Sequence, residues 1–302
     1  MAKVAVVFPG QGSQKVGMAL DFYNQFETAK NLMDKANELL DIDLLKLMFE
    51  GPIEELTLTE NAQPAIVAAS VAILEVLREK GFDFQGAAGH SLGEYCAYVA
   101  AGKMDMEEAV KLVRKRGELM ANADPEQKGG MAAVMRMDAA QVEEICDKYN
   151  EVVPANYNCP GQIVISGDKA QIDLAAEEIK NAKGRVMPLQ VSGPFHSPLM
   201  REAALEFSKE LEKVSFDASR VPVYANVDAK PVQHGEEKES LTRQIYSSVK
   251  WTQTIENMIK DGFDTFVEVG PGKVLQGLIK KINRDVKIIA VTEVTDLEKM
   301  EI

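Results

Sequence analysis

Apolar residues along this chain recur in two registers. Short runs of small and β-branched residues, each the length of a strand, alternate with stretches in which apolar positions return every three or four residues. Lys3–Phe8 is the first run and predicts a buried strand that stops at Pro9-Gly10. Gln63–Glu79, rich in alanine and valine, predicts a well-buried helix. Phe84–Gly89 predicts a short strand that runs into Ser91 and then a helix, Leu92–Ala101. Glu107–Ala121 predicts a further helix. Strand and helix in alternation are the pattern of an α/β protein with a largely parallel sheet.

The middle of the chain changes character. Strands are expected at Gly130–Met137, Val152–Asn156, Gln162–Ser166 and Arg185–Gln190, with helices at Ala139–Tyr149 and Ala170–Ala182. The order βαββαβ is that of a ferredoxin-like unit. It begins after the turn-rich Asp124–Gly129 and ends near Ser192-Gly193-Pro194, breaker residues at which insertions are best tolerated. The chain is therefore read as a large α/β domain, residues 1–127 and 194–302, carrying a small inserted subdomain, residues 128–193. Beyond it follow a helix (Pro198–Lys213), a strand (Pro222–Ala225), helices around Leu241–Ser248 and Thr252–Asp261, a strand (Thr265–Val269), a helix (Lys273–Ile282) and a strand (Lys287–Val291). The charged tail after Thr292 is expected to fray.

Composition narrows the function classes. The 302 residues are 46% hydrophobic and 27% charged, as in ordinary soluble globular proteins. A net charge of -13 argues against nucleic acid or an anionic membrane as partner. The first apolar run is too short for a signal peptide, and no run is expected to reach the ~18 residues of a membrane helix. Three cysteines, Cys96, Cys146 and Cys159, lack metal-ligand spacing. They predict no metal, no disulfide framework and a reducing, cytoplasmic setting.

Gly89-His90-Ser91-Leu92-Gly93 fits G-x-S-x-G, and the predicted strand and helix lie on the correct sides of it. In that context a serine sits at a strained corner with its hydroxyl exposed, facing the positive end of the helix that follows. Such a serine needs a base. Of three histidines, His90 adjoins Ser91 at a sharp corner where neighbouring side chains diverge. His234 lies in the polar run Gln233–Glu239. His196, in a loop leaving the small subdomain, is the candidate by elimination. Asp168 is placed between serine and histidine in the order, but at the mouth of a helix, where an N-cap role explains it better. A dyad is expected.

Arg116 falls on the apolar stripe of its helix with Ala109, Leu112, Val113 and Met120, while Lys111, Arg114 and Lys115 fall off it and are expected to be solvated. An inward arginine stays charged and needs an anionic partner, either a structural carboxylate or that of a substrate. Gly117, costly inside a helix by about 1 kcal/mol, suggests a close approach beside it.

Taken together, these residues resemble the malonyl-CoA:acyl-carrier-protein transacylase family along nearly the whole chain. Phe8–Ser13 (FPGQGS), Asn61–Pro64 (NAQP), Gly89–Tyr95 (GHSLGEY), Arg116-Gly117 with Met120, Asn156–Gly161 (NYNCPG), Phe195-His196, Arg243–Tyr246 (RQIY) and Glu268–Gly272 (EVGPG) follow in the family's order. The resemblance implies that Ser91 carries the acyl group, that His196 is its base, and that the main-chain carbonyl of Gln244 orients that base. It implies an oxyanion hole of the Gln11 and Leu92 N–H groups. It also implies that Arg116 binds the malonyl carboxylate, with Met120 and Phe195 shaping the pocket. An α/β-hydrolase-like core with a ferredoxin-like subdomain is the implied fold. No cofactor of its own is implied: malonyl-CoA is the substrate, and phosphopantetheine arrives on the acyl carrier protein. A monomer is expected. Ala121, where relatives often carry glutamine, and Ser247–Trp251 depart from the family pattern. An acyltransferase of a polyketide pathway, a serine thioesterase or esterase, and a non-catalytic carrier-protein-binding module are the competing readings. An acidic carrier facing an acidic chain needs a local basic patch, with Lys183 and Arg185, or Lys273, Lys280, Lys281 and Arg284, as candidates.

Overall fold

The structure, a computed structural model, describes residues 2–300. Its strands, in chain order, are β1 (Val4–Phe8), β2 (Gly86–Gly89), β3 (Gly129–Met135), β4 (Val152–Cys159), β5 (Gln162–Asp168), β6 (Arg185–Pro188), β7 (Val223–Tyr224), β8 (Thr265–Val269) and β9 (Lys287–Val291). Five of them form a parallel sheet in the order β7-β2-β1-β8-β9. Its inner strands are buried on both faces, which is why they read as unbroken apolar or small-residue runs rather than alternating ones. Strands β3–β6 form an antiparallel sheet in the order β4-β5-β3-β6, with the helices Ala139–Cys146 and Lys169–Asn181 between them in sequence. The expected mixed α/β fold, parallel core plus ferredoxin-like unit, is the fold observed.

From β1 the chain crosses to β2 on one side, and only much later to β8 on the other. The crevice at the carboxyl ends of the strands, where the order reverses, is where ligands bind in open α/β sheets. The loops after β1 and β2, carrying Gln11 and Ser91, open there.

The helix foreseen from Gln63 starts at Thr59 and runs to Glu79. Pro64 lies inside it and has no N–H for the carbonyl of Glu60. Arg114 Nη1 donates to that carbonyl instead, at 3.0 Å, and to Asn61 Oδ1 at 2.7 Å. Arg114 is thus half-buried and engaged, not a freely solvated cation. This helix also corrects the expectation about membrane-length segments: by length and composition its 21 residues are apolar enough to cross a bilayer, but it is the core helix of the fold and 83% of its most apolar window is buried.

Two further expectations change. Four helices, Leu20–Gln25, Glu27–Glu38, Leu44–Glu50 and Ile53–Thr57, occupy a stretch in which no element was foreseen. As far as Met300 the segment after Thr292 is folded rather than frayed, the last two residues lying outside the described ones: Val294–Lys299 is a 3-10 helix, and buried Asp296 accepts from the N–H and hydroxyl of Thr292. A charged residue read from composition as solvated is here a turn-maker. Asp168 caps the Lys169–Asn181 helix, accepting from Gln171 N at 2.9 Å.

The small sheet is tied to the large body beyond its two connecting segments. Tyr157 N donates to Val249 O at 2.9 Å and Val249 N to Ala155 O at 2.8 Å. Ser248 Oγ donates to Pro154 O and Thr252 Oγ1 to Tyr157 O, at 2.6 and 2.9 Å. The departing Ser247–Trp251 segment is therefore the seam between the two sheets, and Trp251 is fully buried in it.

Candidate active site

Strand β2 ends at Gly89, and the helix Gly93–Ala100 begins four residues later. Ser91 turns this corner in the left-handed region, at φ 52°, a conformation that costs a non-glycine residue about 1 kcal/mol or more. The corner closes because Gly89 and Gly93 touch: a Cβ on Gly89 would lie 1.9 Å from the Gly93 carbonyl carbon. Asn226, fully buried beyond β7, braces the turn. It accepts from Ser91 N at 2.7 Å and donates from Nδ2 to Gly89 O at 2.6 Å.

His196 Nε2 lies 2.8 Å from Ser91 Oγ, and Nδ1 lies 2.8 Å from the Gln244 carbonyl oxygen. A carbonyl only accepts, so Nδ1 holds the proton and Nε2 is the free acceptor facing the serine hydroxyl. His196 also has a left-handed backbone, at φ 57°. Neither of the other two histidines faces Ser91 Oγ: His90 also lines the cleft but its Nε2 bonds Asn158 Oδ1 at 2.8 Å, and His234 is exposed near Glu237.

Arg116 is 1% exposed. Nη1 donates to Gln63 Oε1 at 2.7 Å, and Nη2 to Gln244 Oε1 at 2.9 Å and to Ser91 Oγ at 3.1 Å. Its guanidinium stands 5.8 Å from the Tyr95 ring centre. Among the described residues no carboxylate forms an ion pair with it. Gly117 explains how Gln63 gets there: a Cβ at 117 would come within 2.7 Å of Glu60 Cα, so only glycine lets the two helices approach this closely. That is the close approach its helix cost suggested.

These groups open into a cleft of about 330 Å³ between the two sheets, lined by Gln11, Ser91, Arg116, Met120, Phe195 and His196, and by Asn156 and Asn158 from β4. Among the described residues, neither the Gln11 N–H nor the Leu92 N–H has an acceptor within the protein. Of the residues singled out from sequence, the structure thus brings Ser91, His196, Arg116, Gln11, Met120 and Phe195 to one cleft, with Gln244 behind them and Leu92 next to the nucleophile. Gln63, Glu94, Asn226 and the side chain of Gln244 had no role foreseen. Gln63 and Glu94 fell inside quoted motifs, and a buried polar residue on an apolar helix was the available signal.

Burial first, and then the Arg116 charge, push the His196 imidazole down to about 3. It is therefore neutral, the form a base must have, throughout the neutral range. The initial acylation of Ser91 at low, subsaturating malonyl-CoA, which reports the free enzyme, is expected to hold level from pH 8 down to about 5, measured by acid-quenched single turnover; an acid limb near 6.5 would contradict this. The same shift costs stability in acid. The unfolded imidazole takes up its proton near its ordinary 6.5, while the folded one resists until about 3, so stability is lost as pH falls through that window.

Known proteins carry the same arrangement of sequence and fold. The acyl transferase domain family matches residues 5–299. A malonyl CoA-acyl carrier protein transacylase of Bacillus subtilis is 48% identical over 304 residues, covering 99% of this chain and 96% of the relative. The crystal structure of the malonyl CoA-acyl carrier protein transacylase from Clostridium perfringens superposes with a TM-score of 0.95 at 42% identity, covering 99% of this chain and 96% of that one. A malonyl-transacylase solved in complex with its type II PKS acyl-carrier protein has a TM-score of 0.95 at 40% identity, with 99% and 98% covered.

Proposed function

This chain belongs to the acyl transferase domain family, and from that membership we propose that it moves malonyl from malonyl-CoA to the pantetheine thiol of an acyl carrier protein through an ester on Ser91. The observation that carries the reading is a buried arginine paired with no carboxylate among the described residues, donating to the hydroxyl of a serine that also faces a neutral histidine.

His196 Nε2 takes the Ser91 proton as Oγ attacks the thioester carbonyl. The tetrahedral oxyanion is held by the Gln11 and Leu92 N–H groups, each worth on the order of 10²–10³ in rate. The C–S bond then breaks, and coenzyme A leaves with the proton from His196. In the second half the pantetheine thiol gives its proton to His196 and attacks the ester, and Ser91 Oγ leaves with that proton. The malonyl carboxylate replaces the serine as acceptor for Arg116, which frees the Oγ lone pair. It also offsets the charge that holds His196 low, so the base strengthens when the correct acyl group arrives. No cofactor of the chain's own enters these steps. Met120 and Phe195 form the apolar wall beside the carboxylate. We place the reaction in fatty-acid synthesis and the enzyme in the cytoplasm as a monomer.

The basic residues Lys273, Lys280, Lys281 and Arg284 favour that end of the molecule for the acidic carrier. The helix Val274–Ile282, which carries Lys280 and Lys281, contributes Val274 and Leu275 to a second opening lined also by Gln11, His90 and Asn158. The function is tested by intact mass spectrometry after brief mixing with malonyl-CoA or acetyl-CoA and an acid quench. One malonyl group, little acetyl, and discharge by holo carrier protein are expected. Equal acetyl loading would overturn the substrate, and discharge to water at the same rate with carrier present would favour an esterase.

A further inference from the structure

The supports of Ser91, Arg116 and His196 lead back to one buried carboxylate. Glu94 lies in the first turn of the helix after the nucleophile and is wholly inaccessible. Its Oε2 accepts from Gln244 Nε2 and from the backbone N–H of Asn226, both at 2.9 Å. Oε2 already accepts from a main-chain N–H, which can only donate, so Oε2 is an acceptor whether or not Oε1 carries a proton. Gln244 must therefore turn its amide nitrogen to Glu94, where it also donates to Ser91 O at 3.0 Å, and its oxygen to Arg116 Nη2. A flipped amide would set NH2 against guanidinium, donor against donor. Through Asn226 the same carboxylate ties down the residue that braces the nucleophile corner, and Gln244 itself supplies the carbonyl that orients His196.

On the reading that this site loads malonyl, we propose that Glu94 is the positioning residue of the carboxylate pocket: it fixes the Gln244 amide, and so Arg116, without touching substrate.

Stability alone is a poor reason for this residue. Glu94 Oε1 has no partner among the described residues, and burial pushes the carboxyl up to about 7 despite the two N–H donors. A neutral residue of the same shape would avoid that penalty. What a neutral apolar residue cannot do is dictate which way Gln244 faces.

The test uses the full chain with Glu94→Gln, Glu94→Ala and Glu94→Asp, measuring malonyl and acetyl loading of Ser91 by quenched mass spectrometry beside thermal melting. In Glu94→Gln one amide oxygen can still accept both N–H groups, so most of the malonyl preference should survive. Glu94→Ala frees the Gln244 amide, and Glu94→Asp draws the carboxylate back by about 1.5 Å. Both should lose about tenfold or more of the malonyl-over-acetyl ratio through slower malonyl loading, with acetyl loading within about threefold of wild type. A Glu94→Ala protein with wild-type selectivity, or one that loses both acyl groups equally, overturns the role. If alanine prevents folding, the glutamine and aspartate variants decide: selectivity kept in aspartate and lost in glutamine refutes the orienting function. Wild-type chain that never prefers malonyl refutes the proposed function itself, a different outcome from a selective wild type matched by its variants.

Discussion

Ser91→Ala protein should carry no acyl adduct under conditions that fully load the wild type, with malonyl transfer lower by a factor on the order of 10⁴–10⁶. The reason is geometric. Oγ faces His196 Nε2 at 2.8 Å, and it stands on a corner whose φ of 52° is maintained by Asn226 and the Gly89–Gly93 contact. His196→Ala leaves the hydroxyl in place without its proton acceptor and should lower loading by about 10²–10⁴. Because the two act as a unit, the double variant should be no slower than Ser91→Ala. Additive losses, or an adduct on the alanine variant, would place the chemistry elsewhere. Quenched intact mass and carrier-protein transfer assays read both.

Arg116→Ala should separate the acyl groups. Malonyl loading is expected to fall by about 10²-fold, the worth of a charge-assisted pair to a buried carboxylate, while acetyl loading holds or rises because the donor on Ser91 Oγ is gone. A second readout follows from electrostatics. Burial is the larger cause of the low His196 value and the Arg116 charge the next. Removing that charge raises the imidazole towards 6.5, so the acid limb of loading should move to higher pH. Arg116→Ala with unchanged selectivity, measured as the malonyl-to-acetyl rate ratio, would return the arginine to a purely structural role.

Much of this site is legible in the chain because its chemistry is local. Ser91 announces itself through a strand, two glycines and a helix within a dozen residues. Arg116 shows through its own stripe, and His196 stands out because histidines are scarce here. The supports are different. Gln63, Glu94, Asn226 and the Gln244 side chain act across gaps of 53 to 153 residues, and nothing in their neighbourhoods says which polar atom each will meet. The same holds for the fold. The buried parallel strands read clearly from unbroken apolar or small-residue runs. Leu20–Gln25, Leu44–Glu50 and Ile53–Thr57 are too short to declare a face, whereas Glu27–Glu38 buries Ala29, Met33 and Ala36 at helical spacing, a signal in the sequence that was passed over. The segment after Thr292 misled through charge, since Asp296 spends its carboxylate on a turn.

The seam between the sheets bears on how discrimination is achieved. Strand β4 carries Asn156 and Asn158, one wall of the cleft, and it is hydrogen-bonded through residues 154–157 to the segment 248–252, four residues past Gln244. The two walls share a backbone ladder across their junction. A site stitched in this way works as a jig rather than as jaws. Acyl groups are sorted by whether they fit a frame of constant width, and little of the binding energy needs to be diverted into closing it.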